Sequence, residues 1–125
     1  MKNFMFLLLM VLVTSCANYY KHEPRIVHVV MCWLHEPGNE THQDMLVQAS
    51  KEFRKIPGVI DVGVGRPLMS DRPIVDDSFD VGIFLTFKDE KDLQFYLDHP
   101  DHVAAVKVIL KPLVKTVKVY DIVDK

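Results

Sequence analysis

The stretch Ile26-Val27-His28-Val29-Val30-Met31-Cys32-Trp33-Leu34 constrains this chain more than any other. β-branched and apolar residues dominate it, which reads as a strand over Arg25 to Leu34. Alternation puts Ile26, His28, Val30, Cys32 and Leu34 on one face, and Val27, Val29, Met31 and Trp33 on the other. An antiparallel sheet ordinarily needs only one apolar face. Here both must leave water, so something besides the chain's own helices is expected over the second. His28 is the lone polar residue of its face, and two readings stand: a core histidine with a satisfied hydrogen bond, or a functional group.

The remaining elements follow from periodicity and punctuation. His35-Glu36-Pro37-Gly38-Asn39 is a turn, and His35 and His42 are expected in solvent. A helix starts near Asn39 or Thr41, with Asp44 completing a capping-box-like pattern. Its buried stripe is Leu46, Ala49, Phe53 and Ile56, and Ile56-Pro57-Gly58 stops it. Val59 to Arg66 is a second strand, with Ile60, Val62 and Val64 on one face. Gly63 and Gly65 leave its other face nearly bare, which suits either close approach of a partner or a plain edge strand. Pro67 to Ser78 is a long polar loop, read as a cavity cover or as a solvated connection. Phe79 to Phe87 is a third strand with Phe79, Val81, Ile83, Leu85 and Phe87 on one face. Asp89 caps a short helix carrying Leu93, Tyr96 and Leu97. A second helical pattern repeats through Val103, Val106, Leu110 and Leu113, with Pro112 closing or kinking it. Lys115 to Ile122 is the last strand, with Val117 and Val119 inward or partner-facing.

The two last helical patterns meet at Tyr96-Leu97-Asp98-His99-Pro100-Asp101-His102-Val103. Pro100 disfavours helical geometry at His99 and suits the first position of a new helix. His99 therefore reads as a cap and His102 as part of the next first turn. The positive end of that helix suits Asp101 and disfavours an imidazolium, which leaves a neutral His102 able to accept a proton. Tyr96, one turn before the break, supplies a phenol, and the two form a candidate proton-transfer pair. The plainer reading is that His99 caps and Tyr96 packs. His99 and His102 are three residues apart, a spacing that needs a third ligand from elsewhere in the fold before it speaks for a metal. No Gly-rich phosphate loop, CxxC pair, nucleophile elbow or internal repeat is present.

The first residues carry an address. Lys2 precedes the apolar run Phe4 to Val13, and Val13-Thr14-Ser15-Cys16 follows, the order of a secretory signal. Its end resembles a bacterial lipobox, with Val13 where Leu is usual. The resemblance implies cleavage before Cys16, lipid on that residue, and a place in the bacterial cell envelope, at the periplasmic or outer-membrane face. An ordinary signal peptide with an incidental cysteine is the competing reading. The chain then divides into a leader at 1–15, a polar tether at 16–24 and one domain at 25–125. The 15 basic residues become 14 once Lys2 leaves with the leader, against 17 acidic ones, a balance that gives no reason to expect nucleic acid. With Cys16 lipidated, Cys32 has no disulfide partner and reads as a small core residue.

The element order β-α-β-β-α-β is the ferredoxin-like α+β arrangement. At this point the chain resembles the stress-responsive α/β-barrel (Dabb) domain family, from about Val27 to Asp121. The marks are His28, Ile56-Pro57-Gly58-Val59, Phe79 to Phe87, Tyr96 through His102, Lys111-Pro112-Leu113 and Val119-Tyr120-Asp121. The resemblance implies a homodimer whose two antiparallel sheets pack face to face as an α/β barrel, which would cover the second apolar face. It implies a cavity between sheet and helices in each protomer. Members of the family that are cofactor-free cyclases use a tyrosine and a histidine matching Tyr96 and His102 for proton transfer, with a histidine matching His28 lining the cavity. This chain departs near Val81, where those cyclases carry a further histidine. Some relatives have been linked to a metal, which His99 with His102 would serve. Three functional readings follow: a lipid-anchored dimer binding a small apolar ligand, with acid/base catalysis by His102, Tyr96 and His28 and no cofactor; a structural or interaction module; and an oxygenase-like barrel enzyme.

Overall fold

The computed structural model describes residues 23–125. The leader, Cys16 and the tether up to His22 lie outside the described residues. The order is β1 (Arg25–Leu34), α1 (Glu40–Glu52) with a closing 3-10 turn (Phe53–Lys55), β2 (Val59–Gly65), β3 (Val81–Phe87), α2 (Glu90–Asp98), α3 (Pro100–Ala105), a π-helical segment (Val106–Leu110), α4 (Lys111–Leu113) and β4 (Val114–Asp124). The sheet runs β2-β3-β1-β4, with every neighbouring pair antiparallel. This is the ferredoxin-like α+β fold expected from the element order, and it sets β1 at the centre.

The register of β1 divides the sheet cleanly. On the helix side Val30 lies opposite Ile83 and Val119, and Cys32 opposite Val81 and Val117. Ile26, Val30, Cys32, Leu34, Val81, Ile83, Leu85 and Phe87 are buried there, against Leu46, Phe53 and Ile56 of the first helical stretch and Leu93 and Tyr96 of α2. On the opposite face Val29 lies between Phe84 and Tyr120, and Val27 opposite Ile122. Phe84, Tyr120 and Ile122 are about half exposed, at 45%, 52% and 50%. The second apolar face read from the sequence thus exists, and no helix of the described chain covers it.

Local chemistry sets the element ends. Asn39 caps α1 by accepting from the His42 N–H, and Asp89 caps α2 by accepting from the Asp92 N–H. Gly58 follows the 3-10 turn at φ +91°, a conformation that glycine adopts without cost. The turn between β1 and α1 hangs on buried Asp80. Its carboxylate accepts from the backbone N–H groups of Leu34 at 2.8 Å and Gly38 at 2.7 Å, and its own N–H donates to the Cys32 carbonyl. Gln43 of α1 donates to the same residue. Cys32 is fully buried, and burial together with Asp80 pushes its thiol up to about 11, so it behaves as an inert core residue.

Several expectations need correction. Phe79 and Asp80 precede β3 rather than belonging to it, because Asp80 turns inward to hold the β1–α1 turn. A bulge between Val59 and Asp61 throws Ile60 out to 43% exposure, and Val59 packs on the core instead. Gly63 is bare because the Phe84 ring lies over it: a Cβ there would meet that ring at 2.0 Å. The long loop after β2 does not line the cavity below the helices. His42 is only partly exposed, and its Nδ1 is sealed without a partner. In the last helical stretch Val103 faces solvent, and Ala105 and Ile109 pack on the core beside Leu110 and Leu113. Pro112 has no N–H for the carbonyl one turn back, and the Lys111 N–H instead reaches the Val106 carbonyl, which widens the turn and shifts the apolar stripe.

Candidate functional site

The break at Pro100 builds the site. His99 leaves helical geometry at ψ 135°, and its Nδ1 accepts from the Asp101 N–H at 3.2 Å, capping α3. The chain then folds back so that His102 Nδ1 lies 3.0 Å from the Leu97 carbonyl of α2. A carbonyl only accepts, so Nδ1 carries the hydrogen and, in the neutral ring, Nε2 keeps its lone pair. This hydrogen bond ties the two short helices together and fixes the imidazole's tautomer in one step.

Tyr96 lies under that ring. The Tyr96 and His102 ring centroids are 4.4 Å apart, and Phe53 stands 5.5 Å from Tyr96 and 5.6 Å from His102. Phe87 closes the far side at 5.2 Å. Tyr96 is 2% exposed, and no described residue hydrogen-bonds its hydroxyl. Burial raises its pKa well above the ordinary value of 10, so the phenol stays protonated and can donate. Burial also holds His102 below its ordinary value; the nearby His28 adds to this, and the Leu97 hydrogen bond opposes it. Both shifts favour the neutral forms. The helix-end argument made from the sequence gave the same direction for His102, but desolvation is the larger cause.

Tyr96 and His102 open on a cavity of about 210 Å³ between the sheet and the helices. Its walls are almost wholly apolar: Leu46 and Phe53 from the first helical stretch, Val30, Ile83 and Leu85 from the sheet, Ile109 and Leu110 from the π segment. Val117 and Val119 of β4 complete it, which settles their direction as inward. A π segment in a cavity wall fits the frequent occurrence of such widened turns at functional sites.

His28 is placed differently. It is 5% exposed and meets the edge of the Tyr96 ring at 6.0 Å, but it does not line this cavity. Its Nδ1 lies 2.6 Å from an oxygen of Asp121, its direct partner across the β1–β4 ladder. A carboxylate only accepts, so His28 donates. Of the three candidates, then, Tyr96 and His102 share the cavity, and His28 stands behind Tyr96. Asp121 was not assigned a role from the sequence; its link to His28 depends on strand register. Ser50, on the cavity wall, was also missed, although a hydroxyl inside an apolar helical stripe is a readable signal. Among the described residues no group of three or more His, Cys, Asp or Glu is arranged to hold a metal ion.

A family model described as "Stress responsive A/B Barrel Domain" (Dabb) matches residues 26–124. A Dabb-family protein with a ferredoxin-like fold from Mesorhizobium loti is 29% identical; the match covers 82% of this chain and 98% of that one, with a TM-score of 0.67. A dimeric ferredoxin-like protein of unknown function from Bacteroides fragilis is 23% identical, over 78% and 94% of the two chains, at 0.65. A hydroxynitrile lyase from Passiflora edulis is 15% identical, over 83% and 96%, at 0.71. The last two likenesses speak for the fold. No curated protein matches the sequence.

The shift at His102 gives a testable pH dependence. Above 6.5, the ordinary value, folded and unfolded chains both hold the ring neutral. As pH falls through 6.5 the unfolded chain takes up a proton that the folded chain accepts only at lower pH, so stability is lost across that window. Urea unfolding of wild type and His102→Gln between about pH 7.5 and about pH 5 should show the smaller loss in the variant. Equal losses would show that His102 is not held neutral.

Proposed function

Because the chain belongs to the stress-responsive A/B barrel (Dabb) domain family, we propose that it is a homodimer that binds a small, neutral, mostly apolar ligand and performs cofactor-free acid/base chemistry on it. The observation that carries this reading is the Tyr96–His102 pair, 4.4 Å apart on the wall of an apolar cavity, with the His102 tautomer fixed by Leu97. In the proposed mechanism His102 Nε2 removes a proton from the ligand. The Tyr96 hydroxyl donates to an oxygen on which charge develops, and the apolar walls exclude water. Donors held ready for developing charge in a dry site are the usual source of large rate effects. His28, held by Asp121, braces the Tyr96 ring from behind and acts as a positioning residue. The lyase from Passiflora edulis is a catalyst with this fold, which is compatible with turnover here. A second reading, binding without turnover, draws on the packing of Tyr96 among four rings.

The dimer reading rests on the open apolar face around Val29, Phe84, Tyr120 and Ile122, and the relative from Bacteroides fragilis is described as dimeric. The envelope reading rests on Lys2, the apolar run and Thr14-Ser15-Cys16. Stable anchoring needs more than one acyl chain, and a lipidated N-terminal cysteine supplies that.

His102→Ala should cut turnover or binding of any identified ligand roughly a hundredfold, as for loss of a general base, and should also lower stability, because it removes the hydrogen bond to Leu97 that ties α2 to α3. His99→Ala should lose about 1 kcal/mol of stability with the cap while leaving the cavity and its activity intact. Retained activity in His102→Ala would sink the catalytic reading. For the dimer, a soluble form beginning near Tyr19 should sediment at twice the protomer mass at micromolar concentration, and Val29→Asp should halve that mass; a monomeric parent ends the proposal. Cys16→Ala should abolish acyl labelling and release the full chain from membranes, and persistent labelling would refute the anchor.

A further inference from the structure

Ser50 breaks the pattern of its helix. The buried positions Gln43, Leu46 and Ser50 of α1, continued by Phe53, form one stripe toward the sheet, and Ser50 sits between two large apolar side chains. It is only 3% exposed and lines the cavity. Its hydroxyl has no hydrogen-bond partner among the described residues. The one sealed, unpartnered side-chain atom among those residues is His42 Nδ1, so the Ser50 hydroxyl keeps access to open space, and the space beside it is the cavity. A buried hydroxyl without a partner is costly, and Ala would suit both the helix and the stripe better. A residue that breaks a local rule without a structural return is a candidate for function.

We propose that Ser50 is a specificity residue of this cavity. It binds a second oxygen of the ligand, at a distance from the group handled by Tyr96 and His102. The inference rests on the cavity reading above and adds the ligand's chemical class. An apolar protein cavity of about 150 Å³ takes up benzene. At about 210 Å³ the space here suits one ring, or a short branched chain, with one or two small substituents. The near-complete absence of polar walls elsewhere requires those substituents to be uncharged. The ligand is thus a compact neutral compound with two oxygen functions: a carbonyl or hydroxyl against Tyr96 and His102, and a hydroxyl or carbonyl against Ser50.

The test uses acetophenone and its three ring-hydroxylated isomers, titrated calorimetrically into the full-length protein and into Ser50→Ala. Wild type should bind at least one hydroxylated isomer about fivefold more tightly than acetophenone, the worth of one net hydrogen bond. Ser50→Ala should bind that isomer and acetophenone equally, and its melting temperature should be no lower than that of wild type. An unchanged preference in Ser50→Ala, or no preference in wild type, overturns the role of Ser50 and leaves the cavity reading standing. A clear fall in the melting temperature of Ser50→Ala assigns the hydroxyl to the fold and overturns it too. Failure of all four compounds to bind wild type removes both the inference and the cavity reading beneath it.

Discussion

Helices cover one face of a sheet whose central strand is apolar on both, and most of the molecule follows from that imbalance. The helices must all return to the same side, so α1 and the broken helix between Glu90 and Leu113 share the face of β1 that carries Val30 and Cys32. Two helices cannot seal four strands evenly. β4 lies at the edge of the sheet, and Val117 and Val119 stay 44% and 49% exposed although they point inward. The cavity occupies the space that the helices leave over this edge. The uncovered opposite face is the cost of a one-sided arrangement, and a second copy of the chain is the natural way to meet it.

The second helix breaks for a reason that also makes it useful. An unbroken helix from Glu90 to Leu113 would hold Tyr96 and His102 about 120° apart around the axis and about 9 Å apart along it, too far for the two rings to stack. Pro100 ends α2 and restarts the chain at a new angle. His102 can then turn back to the Leu97 carbonyl and stack on Tyr96. Pro112 acts on the other end, where the turn widens to the π form and aims Val106, Ile109 and Leu110 into the cavity. Two prolines thus give one helical stretch the curvature to wrap a hollow.

Much of this was legible in the sequence, and what was not has identifiable causes. The doubly apolar β1, the element order and the cap at His99 follow from period and local conformational rules, which act within a few residues. Ile60 misled because a bulge changes strand phase without leaving a mark in the alternation. Val103 misled because the π turn shifts the stripe of the helix that contains it. Asp80 read as a residue of the third strand, off its apolar face; its burial follows from a turn 42 residues away in sequence, at Gly38. The pairing of His28 with Asp121 is set by the β1–β4 register, across 93 residues, and no local rule reaches that far. Tyr96 and His102 were found because the break that joins them is local. The placement of His28 behind Tyr96 needed the fold.

The electrostatics of the pair limit what the cavity can accept. Burial lifts the Tyr96 phenol and lowers the His102 imidazole, so both are driven toward neutrality by the same desolvation. A site that suppresses charge on its own groups suppresses it on a guest as well, because an ion brought between these walls would lose hydration with no countercharge to meet it. Neutral compounds enter without that loss. In the proposed reaction, moving a proton from a neutral guest to His102 would create opposite charges side by side, where the low dielectric strengthens their attraction and the Tyr96 hydroxyl could donate to the negative one. In that proposed reaction, the same burial that keeps the resting pair neutral would concentrate its electrostatic effect on the one step in which charge separates.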